Sequence, residues 1–534
     1  MQKNSVVRGL AAIMALSVLA GCGGAKKAAP AAGEKVIRYN AGSDFRSLDP
    51  QLMSDNVSGN AATQLFEGMV RMTEKGAQPG MAEKWEVSEG GKKYTFHLRK
   101  DAKWSNGDPV TADDFAFAWT RALDPVLASE YAYQLYYIKG GEAFNTGKGK
   151  AEDLGIKVVD ANTLEVTLDA PTPYFLELTA FSTYQPVNKK VVTANKDWAA
   201  KAETFVSNGP FKLQSWEPKK QATFVKNESY WNQAAVKTSK LVFLMVEEQS
   251  TALQLFESGQ VDLIESPPSA EMDRLKKENK LKFSPAFSTY YYGFNVTKAP
   301  FNDVRVRKAL ALAVDRKAIV ENVTKAGQTP AAGMVPFGSK DETGKDFRDS
   351  SGNLLSTNVD EAKKLLAEAG YPNGQGFPVV ELIYNTSEGH KAIAEAVIEM
   401  WKKNLGITTI RATNMEFKVM LDKKQKLDYQ LGRAGWNGDY LDPMTFLDLW
   451  TSTSGNNDTG WKNAEYDALI KQAKSTDDQK VRMEAMRKAE ALLMKEQPNI
   501  PVYFYTNPYL QADKVTNIYR NASGNVDFTY AEVK

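Results

Sequence analysis

VVELIYNTSEGHKAIAEAVIEMWKKNLGITTIR, residues 379–411, carries the pattern that decides the fold class. Val379 to Tyr384 is short, apolar and bounded by a proline and a polar run, which predicts a strand. From Glu388 to Asn404 the apolar positions recur at helical spacing, and Gly406 ends the run. Ile407 to Arg411 (ITTIR) then returns to β-branched residues, so the whole stretch predicts a βαβ unit and an α/β protein. Outward from it the same alternation continues. YTFHLR (Tyr94 to Arg99) sets Tyr94, Phe96 and Leu98 on one face and His97 on the other, where solvent is the expected neighbour. LEVTL (Leu164 to Leu168) alternates likewise. LVFLMV (Leu241 to Val246) is apolar at every position and predicts a strand covered on both faces by helices. In residues 303–323, Val306, Leu310, Ala313 and Val320 make one stripe, which predicts a single helix packed on a sheet. Asn358 with Glu361 three residues on predicts a helix start, and Gly370 then Pro372 its end. No repeat of 20 to 50 residues stands out, which disfavours solenoids and propellers.

The 534 residues, 43% hydrophobic and 25% charged, suit a globular chain of about three or four structural units. The formal charge is +2, and removing residues 1–21 takes away Lys3 and Arg8 and leaves the chain neutral. Such a chain lacks the concentrated positive charge that selects nucleic acid. Two histidines and one cysteine allow neither an internal disulfide nor a His- or Cys-rich metal site.

The start of the chain sets the compartment. Basic Lys3 and Arg8 precede the apolar run LAAIMALSVLA (Leu10 to Ala20), too short to span a membrane, and no later segment approaches that length. This is a secretory signal. It ends in Leu19-Ala20-Gly21-Cys22, which resembles the bacterial lipobox, where the cysteine is acylated. GGAKKAAPAAGE follows, with the composition of a flexible tether. Residues 1–21 are therefore expected to be a removable leader and 22–34 a leash. Two or three acyl chains on Cys22 would anchor the chain stably at the outer face of the plasma (inner) membrane, on its periplasmic or extracellular side.

GxSxG, HExxH, Walker A and full GxGxxG spacings are absent. Gly374-Gln375-Gly376 opens no helix and predicts a turn before a strand. No catalytic residue, cofactor or metal is expected. The concentrated feature is aromatic: Tyr131, Tyr133, Tyr136 and Tyr137; Tyr290 to Tyr292; Trp436 and Tyr440; Tyr503 to Tyr505. Such side chains fill a core with satisfied hydroxyls or wall a cleft that accepts varied ligands. Asp439, in RAGWNGDYLDP (Arg433 to Pro443), follows the Asn437-Gly438 turn signal between Trp436 and Tyr440. It is either a turn aspartate bonded to its own backbone or a carboxylate in lowered dielectric able to hold an ammonium.

Ten ordered blocks then bring a resemblance into view: SLDP (Ser47), FHLRKDAKWSNGDPVTADDF (Phe96), SNGPFKL (Ser207), SYWN (Ser229), TYYYGFN (Thr289), PFNDVRVRKAL (Pro300), LLAEAGYP (Leu365), YNTSEGH (Tyr384), RAGWNGDY (Arg433) and PVYFY (Pro501). Over nearly the whole mature chain the sequence resembles the solute-binding lipoproteins of bacterial ABC importers, and within them the oligopeptide-binding proteins. The resemblance implies a two-lobed type II periplasmic-binding-protein fold with an additional third domain and crossover hinge segments. Lobe I would combine residues 35–66, 191–287 and 507–534, the additional domain 67–190, and lobe II 288–506. It implies a monomeric receptor, not an enzyme, that delivers short peptides to the permease subunits. Asp439 would pair with the peptide ammonium; Arg433, Lys424 or His390 would take its carboxylate. Gly435, Trp436, Asn437, Tyr131, Tyr291, Tyr505, Phe417, Ser54 and Asn56 would meet the peptide backbone or wall the cleft. Ser54 and Gly293 stand where the best-known oligopeptide binders carry glutamates, Phe417 replaces a tryptophan and Lys424 an arginine. The family also holds binders of dipeptides, nickel complexes, sugars and cell-wall peptides. A second reading therefore keeps the fold and makes the ligand a non-peptide solute or a signal molecule.

Overall fold

The computed structural model describes residues 34–534; the leader, Cys22 and the tether up to residue 33 lie outside the described residues. Two large sheets and one small one organise the chain. The seven-stranded sheet runs in the order Lys282–Ser284, Asn507–Gln511, Leu263–Glu265, Val36–Asn40, Lys240–Leu244, Gln221–Lys226, Phe211–Glu217. Its centre is parallel and its margins are antiparallel. The six-stranded sheet runs Thr329–Pro330, Asn499–Phe504, Ser288–Phe294, Leu431–Asn437, Val380–Asn385, Ile410–Met415. A four-stranded antiparallel sheet, Ala82–Ser88, Lys93–Leu98, Thr163–Thr167, Ile156–Asp160, is inserted in sequence between the first strand of the seven-stranded sheet, Val36–Asn40, and its next one, Phe211–Glu217.

The first sheet draws strands from the start, middle and end of the chain, so the backbone crosses between the large sheets more than once. The crossings after Ser284 and after Phe504 run side by side: Ser284 pairs with Asn507, Thr289 with Phe504, and the Tyr505 N–H donates to the Ser288 carbonyl at 3.0 Å. Two bonded strands at one edge restrict relative motion of the halves to a hinge.

The βαβ unit forms as its residues dictate. Val380–Asn385 and Ile410–Met415 are parallel, joined by the helix Glu388–Leu405. Ser387 caps that helix by accepting from the His390 N–H, and Gly406 closes it at φ +74°. The second strand starts three residues later than ITTIR predicts, because Gly374 and Gly406 form left-handed turns packed on each other; a Cβ on either would fall within 2.5 Å of the other turn's carbonyls. Tyr94, Phe96 and Leu98 are buried while His97 is half-exposed beside Glu86. Asn358 caps Val359–Glu368 as expected.

Two expectations are corrected. The stripe of residues 303–323 is not one helix: Val304–Leu312 stops, Asp315 accepts from the Ala318 N–H and starts a new turn, and a π-helical segment, Ile319–Thr324, ends at Lys325 with φ +55°. The stripe still faces the core, with Val306, Leu310, Ala313 and Val320 buried, because the capping aspartate interrupts the backbone without moving the buried face. The strand Lys240–Leu244 is fully covered on one face only. Leu241 and Phe243 join the main core, while Leu244 and Val246 are half-buried against a small cluster around Leu253 and Val261.

Candidate functional site

Ser288–Phe294 is buried at every residue, with Tyr290 and Tyr292 on one face of its sheet and Tyr291 on the other. Its neighbour Leu431–Asn437 pairs with it along the full length, Tyr291 opposite Ala434 and Tyr290 opposite Gly435. On its other side, Leu431–Asn437 pairs with Val380–Asn385 only at Leu431 and Gly432. From Arg433 to Asn437 that edge is unpaired among the described residues and faces a cleft. The cleft encloses about 460 Å³, within the usual range for small-ligand sites, and is lined from both large sheets and from the unit holding the four-stranded one. Gly435 is where a side chain would interfere: a Cβ there would stand 3.1 Å from the Tyr505 hydroxyl and 3.4 Å from Arg433 Nη2.

Ser54, Asn56, Tyr131, Tyr291, Phe417, Lys424, Arg433, Gly435, Trp436, Asn437, Asp439 and Tyr505 all line this cleft. Trp436 stacks on Tyr131 with ring centres 5.9 Å apart. Asp439 Oδ2 accepts from Gln134 Nε2 at 2.6 Å and lies 3.4 Å from Thr445 Oγ1, whereas Oδ1 meets only the Tyr131 hydroxyl, at 3.4 Å. Burial, and then the charge of nearby Asp448, push its carboxyl well above the usual carboxylate range. Arg433 donates to the Tyr505 hydroxyl at 2.6 Å and to Asn385 Oδ1 at 3.3 Å, and lies over the Tyr290 ring.

Two carboxylate candidates are corrected. Lys424 lies in the cleft but is buried in an ion pair with Asp458 at 2.6 Å, so its charge is already matched. His390 is not among the lining residues; it packs beside Tyr290, and desolvation, then the Arg433 charge, hold its pKa well below the usual imidazole value. Outside the cleft and without a positive charge, it offers no counter-charge to a carboxylate bound there.

A census of charge separates the rest. Arg46 binds Glu130 at 2.6 Å and Asp422 at 3.4 Å; Arg71 binds Glu67 and Asp527; Arg520 binds Glu265. Asp55 caps the helix Asn56–Leu65 through the Ser58 N–H. Asp439 and Arg433 remain, one anion and one cation at opposite ends of the open strand edge, neither in an ion pair among the described residues. Sequence reasoning missed Gln134, Thr445, Asp458 and Arg46. Only Thr445, six residues past Asp439, had any proximity signal.

Outside the cleft, two helices meet N-terminus to N-terminus. Gln249–Glu257 has no side-chain cap of its own. Its Ser250 N–H and hydroxyl reach Glu388 Oε1, while Gln249 Oε1 accepts from the Gly389 N–H at 3.0 Å and the Ser387 hydroxyl at 3.2 Å. Each helix thus supplies acceptors for the other's orphan donors, from opposite sides of the hinge.

Two lobes crossed by adjacent hinge strands, with a cleft between them and a third unit on its wall, define a binding protein of the type II periplasmic class. Residues 76–458 match the bacterial extracellular solute-binding proteins, family 5 (middle region). The chain is 43% identical over 512 residues to the oligopeptide-binding protein OppA of Bacillus subtilis, covering 94% of this chain and 93% of that one. Among solved structures, Listeria monocytogenes OppA bound to peptide superposes with a TM-score of 0.89 at 34% identity, covering 94% of this chain and 99% of that one. The unliganded open form of the periplasmic murein tripeptide-binding protein MppA, also 34% identical and covered to 94% and 98%, reaches only 0.59. At the same identity and nearly the same coverage, the arrangement of this chain is thus nearer to that of the peptide-bound structure than to that of the open form. The chain belongs to the family 5 extracellular solute-binding proteins of bacterial ABC importers, which bind solutes and are not enzymes.

Proposed function

We propose that this chain captures short peptides in the interlobe cleft and hands them, enclosed, to the permease of an ABC importer. The carrying observation is that, once every internal ion pair and the Asp55 cap are set aside, one anion and one cation remain, joined by an unpaired strand edge. That pattern complements a zwitterionic peptide: α-ammonium on Asp439, carboxylate in parallel bonds from Arg433, and main chain along Arg433–Asn437 as an added strand. Gly435 and Asn437 supply backbone groups, which makes affinity independent of side-chain identity; Trp436, Tyr131, Tyr291, Tyr505, Phe417, Ser54 and Asn56 form the walls. Six residues of extended chain separate Arg433 from Asp439, at most about 20 Å, so a peptide bridging both is only a handful of residues long. The division into lobe I (35–66, 191–287, 507–534), additional domain (67–190) and lobe II (288–506) is supported by membership of the three sheets. Acylation of Cys22 would hold the receptor, as a monomer, on the outer face of the plasma membrane.

The test is a thermal-shift titration of residues 35–534, unfolded and refolded to release carried ligand, with peptides of two to six residues and the same peptides N-acetylated. At a hundred times Kd a ligand adds about 2.7 kcal/mol, and the melting temperature should rise by roughly one to several degrees with free peptides only. Equal shifts with acetylated peptides would remove the ammonium role of Asp439, and none with either set would remove the peptide reading.

A further inference from the structure

Gln134 lies behind the cleft wall, in the short turn Ala132–Leu135 of the unit that carries the four-stranded sheet, and is fully buried. Its backbone is fixed from both sides: its N–H donates to the Tyr131 carbonyl at 3.0 Å and its carbonyl accepts from the Tyr184 hydroxyl at 2.7 Å. Its side-chain amide donates to Asp439 Oδ2 at 2.6 Å, the shortest contact that carboxylate makes. The other amide atom, Oε1, is buried without a protein partner. An unmatched buried acceptor lowers stability, so the amide is poorly explained by packing alone.

The carboxylate therefore has two unlike oxygens. Oδ2 is gripped by Gln134 and touched by Thr445, neither of which lines the cleft; Oδ1 meets only a distant hydroxyl, from Tyr131, which does line it. The Asp439 N–H is anchored on Thr445 Oγ1 at 3.0 Å. We propose that Gln134 is a positioning residue for ammonium binding: it clamps the inner oxygen of Asp439 so that the outer one faces the ligand. The inference rests on the ammonium role of Asp439.

The clamp has an electrostatic side. Titratable groups facing Asp439 are Tyr131 and Tyr133 from the same unit as Gln134, and Asp448, itself paired with Lys474 at 3.1 Å. Asp448 and burial favour the protonated carboxyl; the hydrogen bonds from Thr445, Tyr131 and Gln134 oppose them. Removing the amide donor should therefore shift the acid limb of binding to higher pH.

The experiment measures Kd for a free-amine tripeptide and its N-acetyl form by titration calorimetry from pH 5 to 9. The proteins are the parent, Gln134→Met, Gln134→Glu and Asp439→Asn. For Gln134→Met the expectation is about a tenfold loss at pH 7 for the free amine and an acid limb moved up by about one unit. In Gln134→Glu the two carboxyls share a proton, whose O–H replaces the amide donor, so affinity near neutrality returns to within about threefold of the parent. Should Gln134→Met bind within twofold of the parent with the same pH profile, positioning is wrong. Should Gln134→Met not fold, the Glu variant decides: a profile identical to the parent's overturns the idea, and a shifted one supports it. If Asp439→Asn leaves free-amine binding intact, the ammonium reading and this inference fall together; if only the Gln134 variants are silent, this inference falls alone.

Discussion

Asp439 and Asp458 line the same cleft and meet opposite fates. Asp458 has Lys424 at 2.6 Å, a pair closed within the protein. Asp439 has amide and hydroxyl donors and a second acid nearby, with no cation. A paired acid fixes the lobe that holds it, whereas on the proposed reading an acid left with neutral donors is an incomplete site that a ligand's charge would complete. Proximity to the cleft does not distinguish structural from receptive charge; the partner census does.

The sharpest way to break this contrast is Asp439→Asn. Truncating one partner of a buried, hydrogen-bonded charge pair costs about 2–5 kcal/mol, so affinity for free-amine peptides should fall by about thirtyfold to several thousandfold, read by calorimetry. The same residue fixes a proton count. Its folded-state carboxyl pKa is raised, so the ligand-free fold is favoured below the ordinary carboxylate range and loses that advantage as pH rises through the raised value. An incoming ammonium reverses this by favouring the ionised form. Binding should therefore release up to one proton in the parent, seen as an enthalpy that changes with the buffer's ionisation heat, and none in Asp439→Asn.

The companion variant, Lys424→Ala, should act on the other side of the contrast. It leaves Asp458 unmatched and should lower unfolding free energy by about 3 kcal/mol in denaturant titrations. Most of that should return in Lys424→Met with Asp458→Asn, while peptide affinity per folded molecule changes far less. An affinity loss as large as that of Asp439→Asn would erase the distinction.

Smallest should be the effect of the crossed helix caps. Gln249→Ala or Glu388→Ala each removes hydrogen bonds worth about 1 kcal/mol, or about fivefold faster dissociation in stopped-flow experiments, by the same factor for every peptide. A factor that varied with peptide sequence would move the caps from closure to recognition.

Much of this was legible in the chain. The βαβ period, the Asn358 cap and the alternating strands depend on neighbours within a few residues, and the structure follows them. The interrupted stripe at Asp315 was missed because periodicity reports which face is buried and not whether the backbone is continuous. The RAGWNGDY block placed Asp439 and Arg433 on the cleft, but Gln134 is 305 residues from the oxygen it grips, and no local pattern announces such a pair. Lys424 and His390 show the same limit: the residue type is visible in sequence, while the pairing of Lys424 with Asp458 and the burial of His390 away from the cleft are not.

The open edge from Arg433 to Asn437 has one more consequence. Exposed strand edges invite association with any extended chain, and proteins commonly blunt them with charges, prolines or a covering element. Here the edge is left unblunted at the floor of a closing chamber. A loosely folded protein in the same compartment offers the same backbone groups as a short peptide, yet its ends would run on past the walls and keep the lobes apart. On the proposed reading, closure would work as a sieve for length, and the indifference to side chains that main-chain pairing would give would not extend to misfolded neighbours.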